Sequence, residues 1–213
     1  MTQSITIRST DGLALEAELD EPEESVGVVV MCHPHPRMGG TMNAPLLLAL
    51  RTALVDSGRA VLRFNFRGIG ASEGESSTGT PETNDAAGAV ASARERFEAL
   101  PVGLVGWSFG GAVAVRTAAR VGSVAACVGI APSIEATANV SEGLPTPAEL
   151  DLSIPLLFVC GRNDEILSPE ACRSWAEAAS ARHHEIAGAN HFFWGRYDEL
   201  CDVIVSFFEE TMG

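Results

Sequence analysis

A serine, an acidic residue and a histidine stand in this chain in settings that suit nucleophilic catalysis. Ser108 lies within Gly106-Trp107-Ser108-Phe109-Gly110, after the apolar run Leu100–Val105 and before the small, helix-spaced run Gly111–Arg120. A G-x-S-x-G turn between strand and helix exposes the serine hydroxyl at the top of a sheet. The glycines two before and two after Ser108 let strand and helix approach closely at a strained turn. A hydroxyl is a poor nucleophile at neutral pH, so it needs a base, and the base needs an orienting carboxylate. His191, in Gly188-Ala189-Asn190-His191-Phe192-Phe193, is the expected base. Asp164, in Cys160-Gly161-Arg162-Asn163-Asp164-Glu165, is the expected orienting acid. Both follow short strand-like runs, in the chain order nucleophile, acid, base. Glu165 is expected to point elsewhere on its loop. His183 and His184 lie at a polar strand start, where solvent exposure explains them.

The tetrahedral intermediate of such chemistry bears an oxyanion, which preorganised N–H donors must meet. Phe109, directly after the nucleophile, supplies one backbone N–H. The second is expected from the loop Cys32-His33-Pro34-His35-Pro36-Arg37-Met38-Gly39-Gly40. Pro34 and Pro36 have no N–H, which leaves His35. His33, Trp107 and Phe192 are the expected substrate contacts, with His33 also hydrogen-bonding inside its loop. The His33-x-His35 pair has no matched third ligand for zinc, so neither a metal nor an organic cofactor is expected. Cys32 belongs to a buried strand with nothing to lower its pKa. Arg67–Gly74 lacks phosphate-cradle spacing and reads as a glycine-dependent turn. Asn84-Asp85 reads as a helix-start feature.

The elements that must position these groups are legible in the hydropathy pattern. Ser4–Arg8 and Leu13–Leu19 alternate around Thr10-Asp11-Gly12, as a hairpin does. Val26–Cys32 is a continuous apolar run, typical of a strand buried on both faces. Strands are also expected over Ala60–Phe66, 100–105, Val124–Ala131, Ile154–Cys160 and His184–Ala187. Helices are expected over Ala44–Ser57, Glu82–Ala99 (capped by Thr80 or Thr83), the run after Ser108, Pro169–Ala179 and Asp198–Thr211. Residues 132–151 lack periodicity and contain Pro145 and Pro147, which predicts a long loop or small lid. A hairpin followed by strand–helix repeats implies an α/β fold: a mostly parallel sheet of about eight strands, helices on both faces and a minimal cap. Ligands in such sheets bind beyond the carboxyl ends of the strands, where every group named above falls.

The bulk properties bound the rest. A length of 213 residues suits one domain. A content of 46% hydrophobic against 20% charged residues predicts a packed core rather than disorder. A net charge of −14 argues against nucleic acid and anionic membranes as partners. The five cysteines are odd in number and contain no CxxC. They read as reduced thiols, with Cys32, Cys127 and Cys160 as small core hydrophobes. The beginning of the chain shows no charged-then-apolar leader, and no apolar run reaches the roughly 20 residues that span a bilayer. A cytoplasmic protein is expected. Its state as monomer or homo-oligomer is open.

Together, His33-Pro34-His35-Pro36 with Gly39-Gly40-Thr41-Met42, the run Arg63–Gly74, Gly106–Gly110 and Asn190-His191-Phe192-Phe193 resemble the alpha/beta-hydrolase superfamily over nearly the whole chain. More narrowly, they resemble small bacterial predicted hydrolases, similar to dienelactone-hydrolase-like and esterase-like enzymes with almost no cap domain. Dienelactone hydrolases proper use a cysteine nucleophile, where this chain has Ser108. The resemblance implies a serine hydrolase with Ser108, Asp164 and His191 as its triad. The expected reaction is hydrolysis of an ester or thioester of a small carboxylic acid, with a small-molecule substrate as the only partner. Amide, peptide or C–C bond hydrolysis could use the same triad, and a non-catalytic binding protein on this scaffold is the alternative from another class.

Overall fold

The computed structural model describes residues 2–213. The alternating N-terminal segment forms the antiparallel hairpin β1 (Thr2–Arg8) and β2 (Ala14–Asp20). The apolar runs form β3 (Gly27–Cys32), β4 (Arg59–Phe64), β5 (Val102–Trp107), β6 (Ala126–Ile130) and β7 (Leu156–Gly161), with every residue buried. The more polar β8 (Arg182–Ile186) closes one edge. The eight strands form one sheet in the order β1-β2-β4-β3-β5-β6-β7-β8. Pairing is parallel from β4 to β8 and antiparallel within β1, β2 and β4.

Helices cover both faces, because central strands without polar sides must be buried twice. On one face, α1 (Pro45–Asp56) and α5 (Tyr197–Met212) bury Leu46, Leu47, Leu50, Ile204, Phe207 and Phe208 against Val29, Met31 and Val105. On the other, α2 (Glu82–Arg96), α3 (Phe109–Val121) and α4 (Pro169–Ala178) pack on Val28, Val30, Leu104 and Phe158. Among the described residues no helix is long and apolar enough to cross a membrane.

The differences from expectation have local causes. The strand expected through Phe66 stops at Phe64, because the Phe66 N–H donates to His33 Nε2 (3.0 Å) instead of a neighbouring strand. Neither Thr80 nor Thr83 caps α2. Pro81 holds the cap position, and the Glu82 carboxylate accepts from the N–H groups of Ser77 (2.6 Å) and Gly79 (3.1 Å). Asp85 is more than a helix-start feature. It is fully buried and bound to the Arg67 guanidinium (2.7 Å), which also reaches Asp11 (3.0 Å), so the Arg67–Gly74 turn is tied to both hairpin and helix. Cys160 on β7 and Cys172 on α4 are joined as a disulfide, whereas both were expected as reduced thiols; Cys32, Cys127 and Cys201 are free and buried.

Candidate active site

The nucleophile turn is built by close approach. Ser108 has φ 57° and ψ −118°, a left-handed conformation costing a non-glycine residue about 1–3 kcal/mol. The surroundings over-determine it. Its N–H donates to the Ile130 carbonyl (2.8 Å), and its own carbonyl accepts from Gly111 (2.9 Å), Ala112 (3.2 Å) and Ser133 (3.2 Å). A Cβ at Gly106 would lie 2.0 Å from the Gly110 carbonyl oxygen, and one at Gly110 would lie 2.3 Å from that of His33. Only glycines allow β5, the start of α3 and the end of β3 to meet this closely.

His191 and Asp164 converge on that turn from the ends of β8 and β7. His191 Nε2 is 3.1 Å from Ser108 Oγ, and His191 Nδ1 is 2.7 Å from Asp164 Oδ2. The second oxygen of Asp164 accepts from the N–H groups of Ile166 (2.9 Å) and Leu167 (2.8 Å), which locks the carboxylate rotamer. Both side chains are buried, at 6% and 2% exposure, so the pair is shielded from water. Glu165 is exposed and takes no part. The histidine loop is anchored by Phe193, which is fully buried and adopts φ 53°. The Trp107 indole N–H donates to the His191 carbonyl (3.2 Å), fastening the loop to β5.

The loop after β3 supplies the remaining backbone. His33 Nδ1–H donates to the Pro34 carbonyl (2.7 Å) while Nε2 accepts from the Phe66 N–H. Both ring nitrogens are thus occupied, and His33 is fully buried. Burial pushes its pKa down to about 4, so the ring stays neutral. The expected substrate contact at His33 is therefore corrected: the ring has no atom to offer and serves to pin the loop. Nor has it a lone pair left for a metal. His35 Nδ1 accepts from the Arg37 N–H (3.0 Å), and Nε2–H donates to the Val140 carbonyl (2.8 Å). The His35 ring packs on Phe109 with centroids 5.0 Å apart. Among the described residues the main-chain N–H groups of His35 and Phe109 have no hydrogen-bond partner, so both remain able to donate.

Residues 132–151 form a long irregular loop with one 3-10 turn, Pro147–Glu149. It is lashed down at several points. Val140 accepts from His35, Gly143 accepts from Arg116 on α3 (2.6 Å), and Pro145 accepts from the Trp175 indole N–H on α4 (2.9 Å). Of the expected substrate contacts, Trp107 is 6% exposed, with its N–H already used, whereas Phe192 is 36% exposed beside the base, 5.6 Å from the His191 ring. Trp194 escaped the sequence reading. It stacks on Phe192 at 4.8 Å and is 67% exposed. Three consecutive aromatics, Phe192-Phe193-Trp194, in a loop otherwise of small and polar residues were the available signal; in the structure Phe193 is buried and its two neighbours are exposed.

Comparisons with known proteins agree with this fold. The family model described as Serine aminopeptidase, S33 matches residues 23–150. The chain is 28% identical over 196 residues to an uncharacterized protein of Rickettsia prowazekii (strain Madrid E), covering 88% of this chain and 80% of that one. It is similar to an alpha-beta serine hydrolase homologue from Coxiella burnetii (29% identity, TM-score 0.83, 96% of each chain). It is also similar to a serine hydrolase without lid from Xanthomonas campestris (25% identity, TM-score 0.84, 99% of this chain and 95% of that one). A Pyrococcus furiosus esterase shares the fold at 19% identity (TM-score 0.85, 100% of this chain and 92% of that one). With more than half of its length matched by the family model and its sheet superimposing on serine hydrolases, this chain belongs to the Serine aminopeptidase, S33 family of alpha/beta hydrolases.

Proposed function

We propose that this protein hydrolyses an ester or thioester of a small carboxylic acid through an acyl-enzyme on Ser108. The observation that carries the proposal is the relay Ser108 Oγ–His191 Nε2–Asp164, at 3.1 and 2.7 Å. His191 Nε2 removes the hydroxyl proton as Oγ attacks the substrate carbonyl carbon. The Nδ1–H stays on the ring, held by Asp164, which stabilises the imidazolium. The N–H groups of Phe109 and His35 receive the oxyanion, each such donor being worth about 10²–10³ in rate. Collapse breaks the bond to the leaving group, which takes the proton from His191. Water then attacks the acyl-enzyme with His191 as base, and Ser108 regains its proton. The mechanism calls for no metal or organic cofactor.

The loop 132–151 supports a fixed wall rather than a hinged lid, because its anchors run to three separate elements. An open site of this kind favours short acyl groups, with Phe192 and Trp194 as the apolar surface on the base side. All of these residues are carried by one sheet, which supports reading residues 1–213 as a single domain. A second reading, amide or peptide cleavage by the same relay, is favoured by the description of the matched family as a serine aminopeptidase.

The test is a panel of p-nitrophenyl esters from acetate to palmitate, beside amino-acid p-nitroanilides, on wild type and Ser108→Ala. Ester turnover that is lost in the variant, with a short-chain optimum, is expected. Faster turnover of the anilides would establish the second reading. Full ester turnover by Ser108→Ala would refute the serine mechanism. A wild-type protein that turns over nothing and fails to label with a fluorophosphonate would be a binding protein on this scaffold.

A further inference from the structure

One cluster of metal-ligating side chains lies outside the catalytic relay. Cys160 on β7, Cys172 in the first turns of α4 and His183 on β8 bring two sulphurs and one ring nitrogen within 4.8 Å of one another. The topology explains the meeting. In the β7–β8 register Phe158 stands beside His183 and Cys160 beside Glu185. Paired residues in parallel strands share a face, so His183 lies on the face covered by α4. There Phe158 stacks on Trp175 at 5.1 Å. His183 was expected to be a solvent-exposed residue at a strand start, yet it is half-buried, and its Nε2 is buried without a hydrogen-bond partner among the described residues. Burying such a nitrogen unsatisfied costs about 1–3 kcal/mol, and a native structure that tolerates one calls for an explanation.

The disulfide leaves that nitrogen unsatisfied. The Cα atoms of Cys160 and Cys172 are also 7.3 Å apart, beyond the span that a relaxed disulfide bridges, roughly 4.4–6.8 Å. A cation between the two sulphurs suits the wider separation and occupies the imidazole as well. We propose that Cys160, Cys172 and His183 form a binding site for a thiophilic cation of the Zn²⁺ class, loaded when the two cysteines are in the dithiol state. Two thiolates and an imidazole are the donors that select such ions. A small-molecule thiol reductant opens the S–S bond and is itself oxidised to a disulfide. The two thiol protons leave as the cation binds. The guanidinium of Arg173, next to Cys172 in the chain, is held at the site's rim by its ion pair with Glu185, which also meets Arg162 at 3.5 Å. β8 is an edge strand, so the partly buried His183 places the site near the margin of the sheet. The site brackets the Asp164 loop in sequence but shares no residue with the relay, so its test does not depend on the hydrolase reading.

The test uses the whole protein, reduced anaerobically, freed of reductant and titrated with Co²⁺ as a spectroscopic stand-in for Zn²⁺. One equivalent should bind with a sulphur-to-cobalt charge-transfer band, and one equivalent of Zn²⁺ should bleach it. Cys172→Ala should abolish the band, while Cys201→Ala should leave it intact. His183→Gln should keep some thiolate absorption but weaken binding by at least about 10–100-fold, the scale of losing even an outer contact of a metal site. His183 is partly exposed, so this variant tests the site even if Cys172→Ala fails to fold. Zn²⁺ should also protect two thiols from alkylation in the wild type. The proposal is overturned by a wild type that shows no charge-transfer band, by a band that survives Cys172→Ala, or by unchanged affinity in His183→Gln. It is equally overturned if the Cys160–Cys172 disulfide re-forms in air despite bound Zn²⁺.

Discussion

Replacing Asp164 by asparagine tests the relay without disturbing its shape. Asp164 gives one oxygen to the N–H groups of Ile166 (2.9 Å) and Leu167 (2.8 Å) and the other to His191 Nδ1 (2.7 Å). Asparagine has a single acceptor oxygen and an NH₂. Two backbone donors face the first position, so the amide oxygen must go there. The reverse orientation would set the NH₂ against two N–H donors, so neither of those bonds could form. The NH₂ then faces His191 Nδ1, which must accept, and the ring proton moves to Nε2. From there it donates toward Ser108 Oγ at 3.1 Å, and the base is lost although every heavy atom stays in place. The wrong tautomer in a Ser-His-Asp relay lowers kcat by about 10⁴, which corresponds to about 5.5 kcal/mol of transition-state stabilisation. The assay is kcat/KM on p-nitrophenyl acetate near neutral pH, with the rate of fluorophosphonate labelling as a second readout. Thermal unfolding should stay near the wild-type value, because the two backbone bonds survive. A folded Asp164→Asn protein within tenfold of wild type would show that His191 takes its orientation elsewhere.

Three further outcomes are expected. Gly110→Ala places a Cβ 2.3 Å from the His33 carbonyl oxygen, where ordinary contact begins at 3.4 Å, so the start of α3 must retreat by about 1 Å. A shift of that size costs about 10²-fold, and it should appear in kcat rather than KM when esters are assayed on the folded variant. His33, neutral in the fold down to about pH 4, takes up a proton near pH 6.5 once unfolded. The unfolded chain therefore binds more protons between these values. Stability from this group is complete above the upper value and falls as pH drops toward the lower one, by on the order of 3 kcal/mol. Urea unfolding from neutral to acid pH should show that loss, and His33→Gln should flatten this part of the profile while lowering stability overall. Phe192→Ala, which removes the exposed ring beside His191, should raise KM for the preferred esters by several-fold with little change in kcat. A change confined to kcat would instead assign Phe192 to holding the base.

Much of this protein is written along the chain. Short continuous apolar runs rich in β-branched residues and bounded by turn residues announce strands buried on both faces. Val26–Cys32 and Ile154–Cys160 are such runs, and their strands appear within two residues of the expected bounds. The nucleophile turn is equally local, because Gly106 and Gly110 are required by contacts within a few residues of Ser108 or just across one strand end. The prolines around His35 likewise restrict the possible donors of that loop by covalent structure alone.

What the chain could not express by itself is pairing across distance. That Ser108, Asp164 and His191 meet at 3.1 and 2.7 Å follows from β7 and β8 lying beside β6 in the sheet, a strand order fixed only when the whole sheet packs. His33 looked like a pocket residue until the Phe66 N–H, 33 positions away, took its second nitrogen. Asp85 looked like a helix start until Arg67 and burial made it half of an ion pair. Cys160, Cys172 and His183 sit in unrelated stretches of sequence, and only the β7–β8 register with α4 above it gathers them. Local conformation is set by a residue and its neighbours in the chain, so sequence determined the elements and the nucleophile turn. Hydrogen-bond and ion-pair partners are set by which elements share a face, and that only the tertiary structure decided.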